Sequence, residues 1–146
     1  MSAALRDDKD LSLAAVLPKN KNLFYDGQWH APKSGQYAKT FNPANGEVVG
    51  ETAQASTSDV DVAVNAAAEA FKQWRKTKPT ERAELLRKAA SILRDNAEEL
   101  AMLDAINTGN PVAEMVADAK IAAANLDYFA GIAMEAKGQT IPMGDN

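Results

Sequence analysis

Cysteine is absent from this chain, which excludes a disulfide framework, a thiolate zinc site, an iron–sulfur cluster and a cysteine nucleophile within these residues. A single histidine, His30, leaves little for metal or triad chemistry. No apolar run approaches the roughly 18 residues that span a bilayer, so no membrane association is expected. The opening residues lack the cationic and long apolar segments of a secretory signal, which places the chain in the cytoplasm. There is no basic stripe: net charge is -4 and the pI about 5.0, which argues against nucleic acid because phosphate neutralisation needs clustered Lys and Arg.

Large apolar side chains are also scarce. Alanine supplies 29 of the 146 residues, while Val, Ile, Leu and Phe together supply 28. Alanine buries little area and contributes proportionately little stability. A core built this way is thin, and the chain reads as one that docks on something larger.

Residues 1–22 are mixed polar and small and read as a flexible amino-terminal arm. Leu23-Phe24-Tyr25 and Gln28-Trp29 flank Asp26-Gly27, a strong hairpin signal because both turn positions favour positive φ. Tyr37 to Phe41 and Glu47 to Thr52 read as two more strands, joined by the turn residues Asn42-Pro43-Ala44-Asn45-Gly46. The first third, residues 23–55, is therefore a small β unit, and residues 57–138 follow as about four helices. Ser56 and Asp59 form a capping box ahead of Val60, Val64, Ala67, Phe71 and Trp74 at helical spacing, with the helix ending near Arg75. Pro79-Thr80 starts the next, with Ala83, Leu86, Ala90 and Leu93 on one face. Asn96 and Glu99 repeat the cap signature ahead of Leu100, Leu103 and Ile106, and Gly109 supplies a left-handed stop before Pro111. A long helix from about Val112 to Lys137 carries Met115, Val116, Ala119, Ala122, Ala123, Leu126, Phe129, Ala130 and Ala133 on one face, with Gly138 ending it. Ile121, Tyr128 and Ile132 fall on nearly the opposite side, so this helix is expected to meet partners on two sides. Residues 139–146 read as the beginning of a further strand.

Chemical motifs are few. Phosphate-cradling G-x-G-x-x-G and G-x-x-x-x-G-K-[ST], the zincin H-E-x-x-H and the nucleophile elbow G-x-S-x-G are all missing. His30 has no nameable partner or orienter and reads as an ordinary surface or half-buried side chain. Asp95, Glu98 and Glu99 read as solvated acids matched to a helix dipole, and Trp29, Trp74 and Tyr128 as packing residues. The alanine-rich helices fit a partner-binding surface as well as they fit plain packing.

In order, Leu-Phe-Tyr-Asp-Gly-Gln-Trp, Phe-Asn-Pro-Ala-Asn-Gly-Glu-Val-Val and Ser-Asp-Val-Asp-Val-Ala-Val-Asn-Ala-Ala-Ala-Glu-Ala-Phe-Lys-Gln-Trp resemble the opening of an NAD(P)-dependent aldehyde dehydrogenase. Glu81 to Leu86, Asn96 to Ala101, Asn107-Thr108-Gly109-Asn110-Pro111, and Tyr128-Phe129-Ala130-Gly131 through Gly138-Gln139-Thr140-Ile141-Pro142 continue the pattern. The resemblance runs from Leu23 to the end and rests on the ordered set.

This resemblance implies the amino-terminal portion of an α/β enzyme that oxidises an aldehyde to its acid with NAD or NADP. In the family a cysteine thiolate attacks the aldehyde, hydride passes to the nicotinamide, and a glutamate assists thioester hydrolysis. No catalytic or cofactor-binding residue of that kind carries over, so the 146 residues alone are expected to be inactive and to bind no cofactor. The partners implied are the remainder of the aldehyde dehydrogenase fold and, in the complete enzyme, further copies in a homo-oligomer. The early hairpin and the Thr40 strand are implied to join the β region used in subunit association. Many members also bind a monovalent cation through main-chain oxygens before Asn-Pro and an acid before Thr-Gly, positions that are Thr40, Phe41 and Asn107 here. Asparagine stands at 107 where the family usually has aspartate, and at 110 where lysine is common. A helix-end Asn107 that caps local backbone groups fits the same residue. The alternatives for the whole chain are a stand-alone helical interaction module and a non-functional remnant.

Overall fold

The computed structural model describes residues 12–135 and 137–140. Residues 1–11 of the expected arm, and residues 141–146 of the expected last strand, lie outside the described residues. Gln139 and Thr140 are not in a strand.

Element order is α1 (Leu13–Val16), β1 (Leu23–Tyr25), β2 (Gln28–His30), β3 (Tyr37–Phe41), β4 (Val48–Ala53), α2 (Thr57–Trp74), α3 (Pro79–Asp95), α4 (Ala97–Thr108) and α5 (Val112–Ile132), then a 3-10 turn at Ala133–Glu135. Strands come first and four long helices follow, as the sequence leads one to expect. Within the stretch read as an arm, however, α1 packs on α4 and buries Val16. An apolar side chain beside a helix groove gains by leaving water, which outweighs the polar composition around it.

The strands form two separate antiparallel pairs, β1–β2 and β3–β4. Asp26 and Gly27 both take positive φ, 51° and 72°, the backbone of a two-residue turn whose twist matches the strands it joins. Phe24 stands opposite Trp29 with ring centroids 5.0 Å apart. On the other face Tyr25 stacks on His30 at 4.0 Å, and Nε2 of His30 is 3.2 Å from the Tyr25 carbonyl oxygen. His30 is thus half-buried and engaged within its own hairpin. The β3–β4 ladder is interrupted between Thr40 and Phe41, where Thr40 pairs with Gly50 and Phe41 with Val48, leaving Val49 over. Such a bulge bends the strand and raises its local twist.

Helix starts follow local chemistry. The Asp59 carboxylate accepts the Ser56 backbone N–H at 2.9 Å and the Ser56 hydroxyl at 2.6 Å. Pro79 opens α3 in the first-turn position that needs no N–H, and Arg82 Nε donates to the Thr77 carbonyl at 3.2 Å to hold the corner. Asn96 is the N-cap of α4, as expected, but makes no side-chain cap bond there. Its Nδ2 donates back to the Ile92 carbonyl at 2.8 Å, since the same residue closes α3, whose last carbonyls need donors. α5 ends earlier than the alanine pattern suggests, tightening at Ile132 into the 3-10 turn.

The core lies where α3 and α4 pack on α5. Its buried apolar side chains are Ala83 and Ala90 of α3, Ala97 and Ala101 of α4, and Met115, Ala123 and Ala130 of α5. Arg94 and Asp127 pair across α3 and α5. With small side chains at the contact the helix axes approach closely, yet each methyl contributes little. The larger apolar groups lie outside. Phe129, expected on the inner face of α5, is 57% exposed, and on the opposite face Ile121 and Tyr128 are 57% and 64% exposed. The α2 stripe of Val60, Val64, Phe71 and Trp74 is exposed too, and α2 makes no extensive packing with another helix. Trp29, Trp74 and Tyr128 therefore lie outside the core of the described residues, which corrects the core placement read for them. Periodicity shows that a face is apolar but not which element covers it.

Candidate functional site

The Asn42–Gly46 turn positions the region where the sequence placed its candidate ligands. Asn42 N–H donates to the Glu47 carbonyl at 2.9 Å and Gly46 N–H to the Asn42 carbonyl at 2.7 Å, while the Asn42 side-chain oxygen accepts the Ala44 N–H at 2.9 Å. Turn and strand ends are thereby fixed together. At the far end of α4, Gly109 takes φ +80° and sits against this turn, so close that a Cβ on it would lie 3.0 Å from Pro43 Cγ. Two segments distant in sequence, Asn-Pro and Thr-Gly, thus meet.

Beside this junction an open cleft of about 980 Å³ runs between residues 17–22, β4 and α4. Thr40 and Asn107 both line it, as do Asp104 and the apolar Leu100, Leu103 and Ile106. Phe41 does not line it, and its side chain is 52% exposed. The local capping read for Asn107 belongs to its neighbour: the Thr108 hydroxyl donates to the Asp104 carbonyl at 2.8 Å and accepts the Asn110 N–H at 3.3 Å. A threonine hydroxyl reaches the carbonyl four residues back without leaving helical geometry, and that signal was available in the sequence. Asn107's side chain has no hydrogen-bond partner among the described residues.

The charged rim of the cleft is not visible in any motif. Lys21 Nζ lies 2.8 Å from Glu51 Oε2 and 4.6 Å from the Tyr37 ring centroid, and the Tyr37 hydroxyl donates to Asn22 Oδ1 at 2.8 Å. The hydrogen bond and charge of Lys21 hold the Glu51 carboxyl below its usual value, and Glu51 in turn raises Lys21. Both side chains are about half exposed, so the pair adds little net stability. Its effect is to pin the residues before β1 along β4, alongside the bond from Ala53 N–H to the Lys21 carbonyl at 2.9 Å.

Asp59, only 1% exposed, is the one large side chain fully buried among the described residues. Besides Ser56 it accepts the Lys33 backbone N–H, at 3.2 and 3.3 Å to its two oxygens, while Lys33 Nζ donates to the Ser58 carbonyl at 3.2 Å. The Ser56 hydroxyl first, then the Ser56 N–H and Lys33, lower its pKa against the opposing effect of burial. A carboxyl depressed in the folded state stabilises fully above its unfolded pKa, and that stabilisation is lost as pH falls through the folded value. Acid titration should therefore release the 31–35 loop from α2, read as faster amide exchange at Lys33. Asp59→Asn should be less stable at neutral pH and should flatten the acid limb of stability against pH. An unchanged acid limb would show that Asp59 is not the group responsible.

Among the described residues no three His, Cys, Asp or Glu side chains cluster as a metal site, and no helix is long and apolar enough to cross a membrane. Residues 29–146 match the model of the aldehyde dehydrogenase family. The chain belongs to the aldehyde dehydrogenase family. It is 51% identical over 127 residues to aldehyde dehydrogenase tropH of Talaromyces stipitatus, a match covering 87% of this chain and 25% of that protein. The structure of a point mutant of an aldehyde dehydrogenase from Bacillus cereus superposes with a TM-score of 0.84 at 32% identity, over 90% of this chain and 28% of that one. Betaine aldehyde dehydrogenase from Staphylococcus aureus, solved in complex with NAD+, gives a TM-score of 0.81 at 27% identity, over 85% of this chain and 25% of its own. The chain thus spans about a quarter of the length of the curated relatives it matches. An aldehyde dehydrogenase segment without cysteine holds no thiol for attack on an aldehyde, and none of its glycine spacings forms a nucleotide cradle.

Proposed function

We propose that this chain serves as the amino-terminal packing and subunit-association segment of an enzyme that oxidises an aldehyde to its carboxylic acid with NAD+ or NADP+ in the cytoplasm. The observation that carries the reading is the combination of a quarter-length family match with apolar faces left open on α2 and α5. Phe71, Trp74, Ile121 and Tyr128 are 44–64% exposed, and large apolar side chains gathered on exposed helix faces mark surfaces for another part of a protein. The remainder of the aldehyde dehydrogenase fold is their natural cover, and the attacking thiolate and the dinucleotide site belong to that remainder. The strands of residues 23–55 contribute to association between copies. By itself the chain binds no dinucleotide and turns over no aldehyde.

The deciding measurement is the intact mass of the protein from its native source. A mass several times 15.6 kDa supports the reading. A mass near that value sinks it and favours a short interaction module. Steady NAD(P)H production by the purified 146-residue chain with a panel of aldehydes would overturn the inactive half on its own.

Thr40, Phe41 and Asn107 hold a monovalent cation in this reading, through main-chain oxygens of the strand and the Asn107 amide oxygen. Support comes from Thr40 and Asn107 lining one cleft, and from an all-oxygen donor set of the kind that replaces a hydration shell. Asparagine contributes no charge, so Asn107→Asp should enlarge the rise in melting temperature when choline is replaced by K+ or Na+. Equal melting in all three salts, for both forms, counts against the site.

A further inference from the structure

Of the ten asparagines in the chain, Asn45 alone is followed by glycine. We propose that Asn45 is a site of spontaneous covalent ageing, in which the Asn45-Gly46 peptide closes to a succinimide and reopens as aspartyl and isoaspartyl products. The nucleophile is the Gly46 backbone nitrogen and the electrophile the Asn45 side-chain carbonyl carbon. A bond forms between Gly46 N and Asn45 Cγ, and the bond from Cγ to Nδ2 breaks. The Gly46 amide proton leaves with the departing amino group as ammonia, passing through solvent. Water then opens either carbonyl of the five-membered ring, so the balance is one water consumed and one ammonia released, with no oxidant or reductant.

The local structure favours the reaction at this residue above the other asparagines. Both residues are exposed at the tip of the turn, so water and base reach them. Gly46 has no side chain to shield its nitrogen, and nothing lies within 4 Å of where a Cβ would stand, so the ring has room. The Asn45 side-chain oxygen accepts the Glu47 N–H at 3.0 Å, which draws electron density from Cγ. Two contacts oppose it: Gly46 N–H is bonded to the Asn42 carbonyl at 2.7 Å, and Asn45 Nδ2 to Glu47 Oε2 at 2.9 Å. These must open first, and they set the native rate below that of the same peptide when unfolded. The other asparagines precede larger residues or proline, or end the chain, and at X-Pro the following nitrogen has no proton to lose.

The isoaspartyl product lengthens the main chain by one carbon inside a turn held by the bond from Asn42 N–H to the Glu47 carbonyl. That insertion breaks the register which keeps Pro43 against Gly109. The aged chain therefore exchanges the Asn42 amide faster than the fresh one.

The test is incubation of the full 146-residue chain at neutral pH and physiological temperature, followed by peptide mapping with a mass spectrometer. The expected result is a gain of about 1 Da confined to the peptide carrying Asn45, resolved into two isomers, one of which accepts a methyl group from isoaspartyl methyltransferase. Asn45→Gln should abolish the gain, and Gly46→Ala should slow it. An unmodified Asn45 in the folded chain, while a urea-unfolded control reacts, overturns the proposal by showing that the turn protects the residue. A single aspartyl product with no methyl acceptor overturns it as well, because direct hydrolysis would then replace the succinimide. Unchanged Asn42 exchange in an aged, isoaspartyl-enriched fraction overturns the link to Pro43 and Gly109.

Discussion

Ala123→Leu is expected to destabilise the chain by about 1–3 kcal/mol, the usual cost of forcing extra methylenes into a packed interface. Ala123 is 0% exposed on the helix that packs against both α3 and α4, and the buried apolar side chains of these helices are alanines apart from Met115. An isobutyl group there must push the helix axes apart or leave its rotamer well. Against a total stability of about 5–15 kcal/mol for an ordinary domain, and less for one whose core is mostly methyl groups, the loss is severe. Ala122→Leu, one residue away on the exposed side, makes the comparison. It should stay within about 0.5 kcal/mol of the parent. Urea midpoints with unchanged m-values measure both. Equal midpoints would mean that close alanine contact does not hold α5 in place.

The second large effect is expected at Gly109. Its φ of +80° lies in the left-handed region, where an L side chain costs about 1–2 kcal/mol, and an added Cβ would meet Pro43 Cγ at 3.0 Å. Gly109→Ala incurs both penalties. Pro43 sits on a short turn whose own hydrogen bonds resist displacement, so the contact is not relieved by a side-chain rotation. A cycle with Pro43→Ala separates them: the backbone part remains in the double variant and the contact part disappears. Additive effects would show that the turn and the α4 terminus do not press on each other. Gly109→Asn should cost less backbone strain than alanine, because asparagine tolerates this conformation.

Much of the local architecture was legible because short-range chemistry dictates it. Asp26-Gly27 demanded positive φ at two successive residues and has it. Ser56 with Asp59 marked the start of α2, Pro79 that of α3, and Gly109 closes α4 in the left-handed conformation expected of it. Family membership was legible as well, since it rests on the order of many short segments. The cleft was only half visible. Thr40 and Asn107 came from a resemblance, whereas Lys21, Glu51 and Tyr37 belong to no motif and meet only when the residues before β1 lie along β4. Asn96 caps α4 at the position expected, through its backbone carbonyl to the Leu100 N–H, while its side-chain Nδ2 serves the end of α3.

By itself the sequence determined the types and order of the elements from β1 to α5 and most of their ends, because caps, turns and periodicity depend on neighbours a few residues away. It also determined that the chain brings no thiol to any reaction, by containing no cysteine. Only the tertiary structure decided which apolar faces are covered. Alanines fill the contacts of α3, α4 and α5, while the larger side chains of α2 and the outer face of α5 remain exposed. It alone brought Pro43 against Gly109 and buried Asp59 beneath the Lys33 loop. Burial is a property of what lies across an interface, and helical or strand periodicity carries no record of that partner.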